Sequence, residues 1–323
     1  KRQDLLPAPT ANAQVCRKEL DLPLPTTWYL AEGYTGGEFD TWVLVQNPGT
    51  VPAQVTLTFQ VQGGIAPPFG PFTLAAGERS SIHLDDLPNL TDAQVSTQVT
   101  SDVPVVAERA MYFTYDGKPG GHDSIGVTSP SSTWYLAEGY TGGEFDTWVL
   151  IQNPGTVPAQ VTLDFQVQGG VAPPFGPFAL PAGERQSVHL DNLPNLADAQ
   201  VSTRVSSDQP VVAERAMYFT YDGKSGGHDS VGVTMPASTW YMAEGYTGGE
   251  FDTWVLIQNP GTVPAQVTLD FQVQGGIAPP LGPINLAAGE RQSIHMDDLT
   301  GLSDAQVSTR VTADQPVVAE RAM

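Results

Sequence analysis

The stretch WYLAEGYTGGEFDTWVL begins at Trp28 and returns almost letter for letter at Trp134 and at Trp240. The interval is 106 residues both times, which is the size of a small β domain and far longer than a solenoid repeat. A chain written in this way is expected to fold as three units, each with its own core. The first copy spans 26–131, the second 132–237 and the third 238–323, and residues 1–25 stand before them as a leader or linker. Copies one and two differ at about one position in six. Identity between them therefore reports duplication and by itself marks no site.

The strands follow from period-two alternation. In AQVTLTFQVQ, residues Ala53, Val55, Leu57, Phe59 and Val61 alternate with polar neighbours, the pattern of a half-buried strand. Thr58 on the polar face becomes Asp164 and Asp270 in the later copies, and Gln98 in QVSTQV becomes Arg204 and Arg310. TWVLVQ, closed by the turn Asn47-Pro48-Gly49, reads as a strand, as do SSIHL, VVAERAMYFTY, WYLAE and DSIGVT. GGIAPPFGPF reads as a loop, because Pro67, Pro68 and Pro71 do not suit a sheet interior. Seven or eight strands without an amphipathic helix predict an all-β protein: a tandem array of three immunoglobulin-like β-sandwich domains, the third incomplete. The short connector after Val127 contains Pro130, which restricts swing between neighbours and favours a rod.

Copy three stops at Met323, the counterpart of Met111 and Met217, so nothing in it matches YFTYDGKPGGHDSIGVT. The expectation is an unpaired sheet edge, completed either by continuation of the polypeptide or by a strand donated from another chain. Continuation is favoured. The alternation Leu20, Leu22, Leu24 is a possible donor, but Pro23 and Pro25 interrupt it. Ala11-Asn12-Ala13 has the small-residue character of a signal-peptide end, yet the apolar run before it is short and broken by proline.

Composition narrows the partners. With 35 acidic against 14 basic residues the net charge is -21, which repels nucleic acid and anionic membrane surfaces. No apolar run reaches the roughly 20 residues of a membrane helix, so no membrane insertion by this segment is expected. The single cysteine, Cys16, lies outside the copies and provides no disulfide within them.

Arg109 shares a strand face with Val105, Ala107, Met111 and Phe113, and an arginine on an apolar face needs a carboxylate. Glu32 shares a face with Trp28 and Leu30, so Glu32/Arg109 is expected as a structural ion pair at the core edge, with Glu138/Arg215 and Glu244/Arg321 repeating it. Glu108 is expected to point the other way. Glu32, Glu38 and Asp40 cluster among glycines and form a possible calcium site, otherwise a solvated acidic turn. Trp28, Tyr34, Phe39 and Trp42 form a possible aromatic platform for a carbohydrate, otherwise core. His122 and Asp123, repeated as His228 and Asp229, invite acid–base chemistry, but strand neighbours face opposite ways and no nucleophile motif accompanies them. They are read as loop caps. His83 is read as a surface histidine. No catalytic residue and no cofactor follow from these residues, and no enzyme is expected.

WYLAEGYTGGEFDTWVLVQNPG followed by PVVAERAMYFTYDG and GGHDSIGV resembles an uncharacterised family of tandem secreted or cell-surface bacterial repeats, of actinobacterial and Chloroflexi-like bacteria. The resemblance implies an extracellular β-sandwich displayed in tandem and no enzyme activity. The expected function is a structural repeat protein of an extracellular fibre or cell-surface stalk, giving length and spacing. Its partners would be copies of itself or continuing repeats. The alternative is an adhesin or glycan-binding module repeated for avidity.

Overall fold

The computed structural model describes residues 25–323; the features noted at Ala11-Asn12-Ala13, Cys16, Leu20, Leu22 and Leu24 lie outside the described residues. In copy one, eight strands form: β1 (Thr27–Leu30), β2 (Phe39–Gln46), β3 (Ala53–Val61), β4 (Phe69–Leu74), β5 (Arg79–His83), β6 (Val95–Ser101), β7 (Val106–Tyr115) and β8 (Lys118–Ile125). They build two four-stranded antiparallel sheets, ordered β1-β6-β3-β4 and β5-β2-β7-β8. Trp28, Leu30, Val55, Leu57 and Val99 from the first sheet meet Val43, Val45, Ile82 and Ala107 from the second in one buried core. The protein is all-β and sandwich-like. Among the described residues no helix is long and apolar enough to cross a membrane.

The proline segment departs from the loop expected for it. Its second half is β4, an edge strand that pairs with β3 across a register shift between Val55 and Leu57 and holds Pro71 after a cis peptide. An edge tolerates proline because one side of the strand needs no ladder donor. The polar-face substitutions also prove to be linked. Thr58 lies opposite Gln98 in copy one, whereas Asp164 and Asp270 lie opposite Arg204 and Arg310 and pair with them at 2.7 and 2.9 Å.

In copies two and three, β6 and β7 are replaced by one unbroken strand, Val201–Tyr221 and Val307–Ala322, which ladders into both sheets. Copy one bends away between Ser101 and Val106, where it has Val103 in place of Gln209 and Gln315. In copy three, residues Val318 to Ala322 pair with Trp254–Gln258 on one side only among the described residues. The neighbour that β8 provides in copy one has no counterpart there.

Two motif residues explain themselves at this level. The indole N–H of Trp28 donates to Val105 O at 2.8 Å, tying the first strand to the point where the chain changes sheets, and Trp134 and Trp240 do the same with Val211 and Val317. Asn47, fully buried, donates to Val51 O and Leu74 O and accepts from the Gly49 N–H at 3.0 Å. It closes the QNPG turn and pins it to β4. Asn47→Ala would strand these buried groups and is expected to cost roughly 1–3 kcal/mol, read as a shift in the urea unfolding midpoint; an unchanged midpoint would contradict this role.

Candidate functional site: the junction between copies

The β5-β2-β7-β8 sheet has two faces, and alternation sends them to different places. In β7, Ala107, Arg109, Met111 and Phe113 turn inward and are buried, while Glu108 and Tyr112 turn outward. The corresponding outward face of copy two is not exposed. Leu150, Glu214, Ala216 and Tyr218 are buried against the far end of copy one, where Met111 and Phe113 meet them. The core of copy two also takes in Ala31 of copy one. Copy three packs on copy two through the same residues, shifted by one repeat.

Arg109 sits at the centre of the first junction with no exposed surface. Its Nη1 lies 2.9 Å from Glu32 Oε2 and 3.0 Å from Glu214 Oε2, and its Nη2 lies 2.6 Å from Asp229 Oδ2. Glu214 also accepts the backbone N–H groups of Ala31 at 2.8 Å and Glu32 at 3.2 Å, and the Tyr218 hydroxyl donates to Glu32 Oε1 at 3.0 Å. His122 completes the group, with Nδ1 3.3 Å from Asp229 Oδ1. The second junction repeats the pattern. Arg215 meets Glu138 at 2.7 Å and lies 3.9 Å from Glu320, whose carboxylate accepts from Glu138 N–H and from Ser230 Oγ.

A second arginine enters each junction from the sheet edge. Arg185 is buried and reaches Gly33 O at 3.4 Å. Arg291 donates to Ser202 Oγ at 3.0 Å, to Gln200 Oε1 at 3.1 Å, to Gln168 Oε1 at 3.3 Å and to Ala137 O at 3.4 Å. Backbone groups are recruited too: Ser187 N–H donates to Gln62 Oε1 at 2.8 Å, and Ser293 N–H to Gln168 Oε1 at 3.0 Å. The GGHD glycines let the two hairpins approach. A Cβ on Gly227 would stand 2.8 Å from the Phe113 ring, and one on Gly120 would stand 3.3 Å from Gly226 Cα.

The ion pair expected between Glu32 and Arg109 is thus present at 2.9 Å, but it belongs to a junction between copies, not to the edge of one core. Glu138/Arg215 lies in the second junction, and Glu244/Arg321, at 3.4 Å, sits at the open end of copy three with Glu244 68% exposed. The loop-cap assignment is corrected. His122 and Asp123 lie on β8, His228 and Asp229 on strand Lys224–Val231, and His122 and Asp229 join the Arg109 group because the strand places them on its buried side. Glu32, Glu38 and Asp40 do not converge: Glu32 is buried with Arg109, Glu38 is exposed, and Asp40 approaches His83. The aromatic platform does not form either. Trp28 is in the core, Tyr34 and Phe39 pack edge-to-face at the junction, and Trp42 stacks on His83 with centroids 4.3 Å apart.

His83 is more than a surface residue. Its Nε2 lies 3.3 Å from both Asp40 Oδ1 and Asp85 Oδ2, and its Nδ1 lies 3.0 Å from Asp86 Oδ2. Asp146/His189/Asp191 and Asp252/His295/Asp297 repeat the group, and in each a tryptophan stacks on the imidazole. One imidazole and two carboxylates are a donor set that suits a divalent transition ion; the same atoms also stabilise an imidazolium. Partial burial works against the charge on each ring, but the surrounding carboxylates prevail and raise all three histidine pKa values. At the first junction Lys118 of copy one reaches over to Asp146 at 3.2 Å.

Electrostatics at Arg109 follow from the count of three carboxylates to one guanidinium. Burial opposes the charge on Arg109, but Asp229, Glu32 and Glu214 outweigh it and raise its pKa. Asp229 is held below the usual carboxylate range, since Arg109 and His122 overcome its burial. Glu214 goes the other way, pushed up to about 7 from 4.5 by burial and by the charges of Asp229 and Glu32, against the pull of Arg109. At the second junction burial of Glu138 is overcome by Arg215 and His228, which draw its pKa down to about 2. A raised carboxyl pKa means that the folded state binds more protons than the unfolded one between the two values, so stability falls as pH rises through that window. Glu214 therefore removes stability between pH 4.5 and about 7. In Glu214→Gln this loss should vanish, so that the change in unfolding free energy from pH 5 to pH 7 is more favourable than in the wild type. Parallel pH profiles for the two proteins would contradict the assignment.

The likenesses to known proteins can be set against this geometry. No curated protein matches the sequence. Among solved structures, the chain is similar to Thermotoga maritima 1070, at 18% identity and a TM-score of 0.30 over 32% of this chain and 94% of that one. It is also similar to the Anabaena sensory rhodopsin transducer, at 22% identity and a TM-score of 0.23 over 28% and 99%. The dimeric latent PorU from Porphyromonas gingivalis matches at 10% identity and a TM-score of 0.19 over 93% and 33%. One family spans residues 109–323, from the junction arginine of copy one to Met323, and the chain belongs to that family, described as a family of unknown function (DUF5719).

Proposed function

We propose that the chain is a structural repeat protein that supplies length and spacing to an extracellular fibre or a cell-surface stalk. The observation that carries this reading is the junction. Two successive joints use the same residue types at the same 106-residue offset: Glu32, Arg109 and Glu214 at the first, Glu138, Arg215 and Glu320 at the second. A buried, directional joint that repeats is what a stacked array needs to keep one axis. A flexible string of binding modules has no use for it.

The acidic balance, -21 overall, supports an exposed and soluble exterior. The glycan-binding alternative loses its main support, because Trp28 is core and Trp42 is committed to His83. Display outside the cell, in tandem with further copies, remains part of the proposal and rests on the resemblance of the motifs to secreted bacterial repeats.

Strands of about ten residues at about 3.3 Å per residue make each unit roughly 33 Å long, so the three copies should extend to about 100 Å. Small-angle scattering of the 323-residue chain at low concentration is expected to give a rod-like pair-distance distribution with a maximum near that length. A bell-shaped distribution typical of a compact particle would overturn the stacked-rod reading.

A further inference from the structure

The two ends of the array carry the unmatched halves of the joint that is made twice inside it. At one end is the outward face of copy one: Trp42, Leu44, Arg79, Glu108 and Tyr112. Their counterparts Leu150, Arg185, Glu214 and Tyr218 are buried at the first junction. In copy one the same face is open, with Arg79 and Glu108 exposed and Tyr112 58% exposed, against 5% for Tyr218.

At the other end, Ala243, Gln274, Gln306 and Ser308 line an open groove of about 610 Å³ beside Glu244 and Tyr246. These four stand one repeat after Ala137, Gln168, Gln200 and Ser202, the residues that hold Arg291 at the second junction. The groove is therefore an arginine socket with no arginine of its own copy in it. Next to it Arg321, with 29% of its side chain exposed, occupies the place that Arg109 and Arg215 take in the joints.

We propose that a second copy of this chain fills that end: Arg79 of one molecule enters the socket of Ala243, Gln274, Gln306 and Ser308 of another, and Glu108 meets its Arg321. The inference rests on the structural reading above and names its partner. The charges are complementary, the apolar residues are of the same types as those already packed inside the chain, and the new contact continues the established joints in the same direction. Such a contact is heterologous, joining unlike surfaces, so it does not close on itself after two molecules and leads to a filament.

The experiment uses the 323-residue chain with two charge reversals, Glu108→Arg and Arg321→Glu. Sedimentation velocity and small-angle scattering are followed from micromolar to near-millimolar concentration. The wild type is expected to associate end to end, so that its maximum dimension grows in steps of one molecular length. Each variant alone sets like charges against each other at the joint and should associate about tenfold more weakly or less. An equimolar mixture of the two variants restores opposite charges at every contact and should recover association, which also shows that both are folded. A wild type that stays monomeric, variants that associate as well as the wild type, or a mixture that stays monomeric would each overturn the joint. A monomer that stays elongated overturns the joint and leaves the rod standing, whereas a compact monomer overturns the rod itself.

Discussion

A guanidinium with no exposed surface can keep its charge only if carboxylates surround it, and Arg109 obtains them from two copies at once. Glu32 belongs to its own copy; Glu214 and Asp229 belong to the next. Neither copy satisfies the group alone. Separating the copies would leave Arg109 short of two partners and would leave Glu214 and Asp229 without their cation, and breaking a buried pair is far costlier than never having had one. The position of copy two on copy one follows from this requirement. Tyr218 on Glu32, Arg185 at Gly33 and the close approach of the glycine hairpins then fix the remaining contacts.

Such joints alter how stability is distributed. Each copy has a core of its own, but the cores are not independent, since Ala31 of copy one is packed into the core of copy two. In arrays of this kind stability is approximately a sum of unit terms and nearest-neighbour terms. Here the neighbour term is polar and highly directional, which favours one register over sliding or hinging. The first junction is also crowded with negative charge, and the rise of the Glu214 pKa to about 7 expresses that crowding. The second, with two carboxylates near Arg215, stays in the opposite regime, and Glu138 titrates at about 2.

Much of the fold was legible in the chain itself. Alternation placed Val55, Leu57 and Val99 in the core and brought Glu32 to Arg109, because a strand has only two faces and an apolar one must bury its charge in company. Alternation within one copy could not identify the second partner. Glu108 is exposed where it stands in copy one, and only its repeats Glu214 and Glu320 meet an arginine. A signal was nonetheless present. Trp42-Val43-Leu44-Val45 is apolar on both faces, the mark of a strand covered on both sides, and one sandwich core accounts for only one of them. His83 was missed for a related reason: its carboxylates come from Asp40 on a neighbouring strand as well as from the adjacent turn, and neighbours across a ladder are not neighbours in sequence.

The claim on which the rest depends is that residues of different copies share one buried charge network. A double-mutant cycle on unfolding free energy, combining Arg109→Met with Glu214→Gln, tests it most directly, because the two positions lie 105 residues apart in the chain and meet only if the joint exists. Removing Arg109 leaves three carboxylates facing one another, and neutralising Glu214 relieves part of that repulsion, so the double variant should be more stable than the sum of the single losses by about 1 kcal/mol or more. Effects that add to within about 0.3–0.5 kcal/mol, as they do for distant and independent sites, would contradict the account.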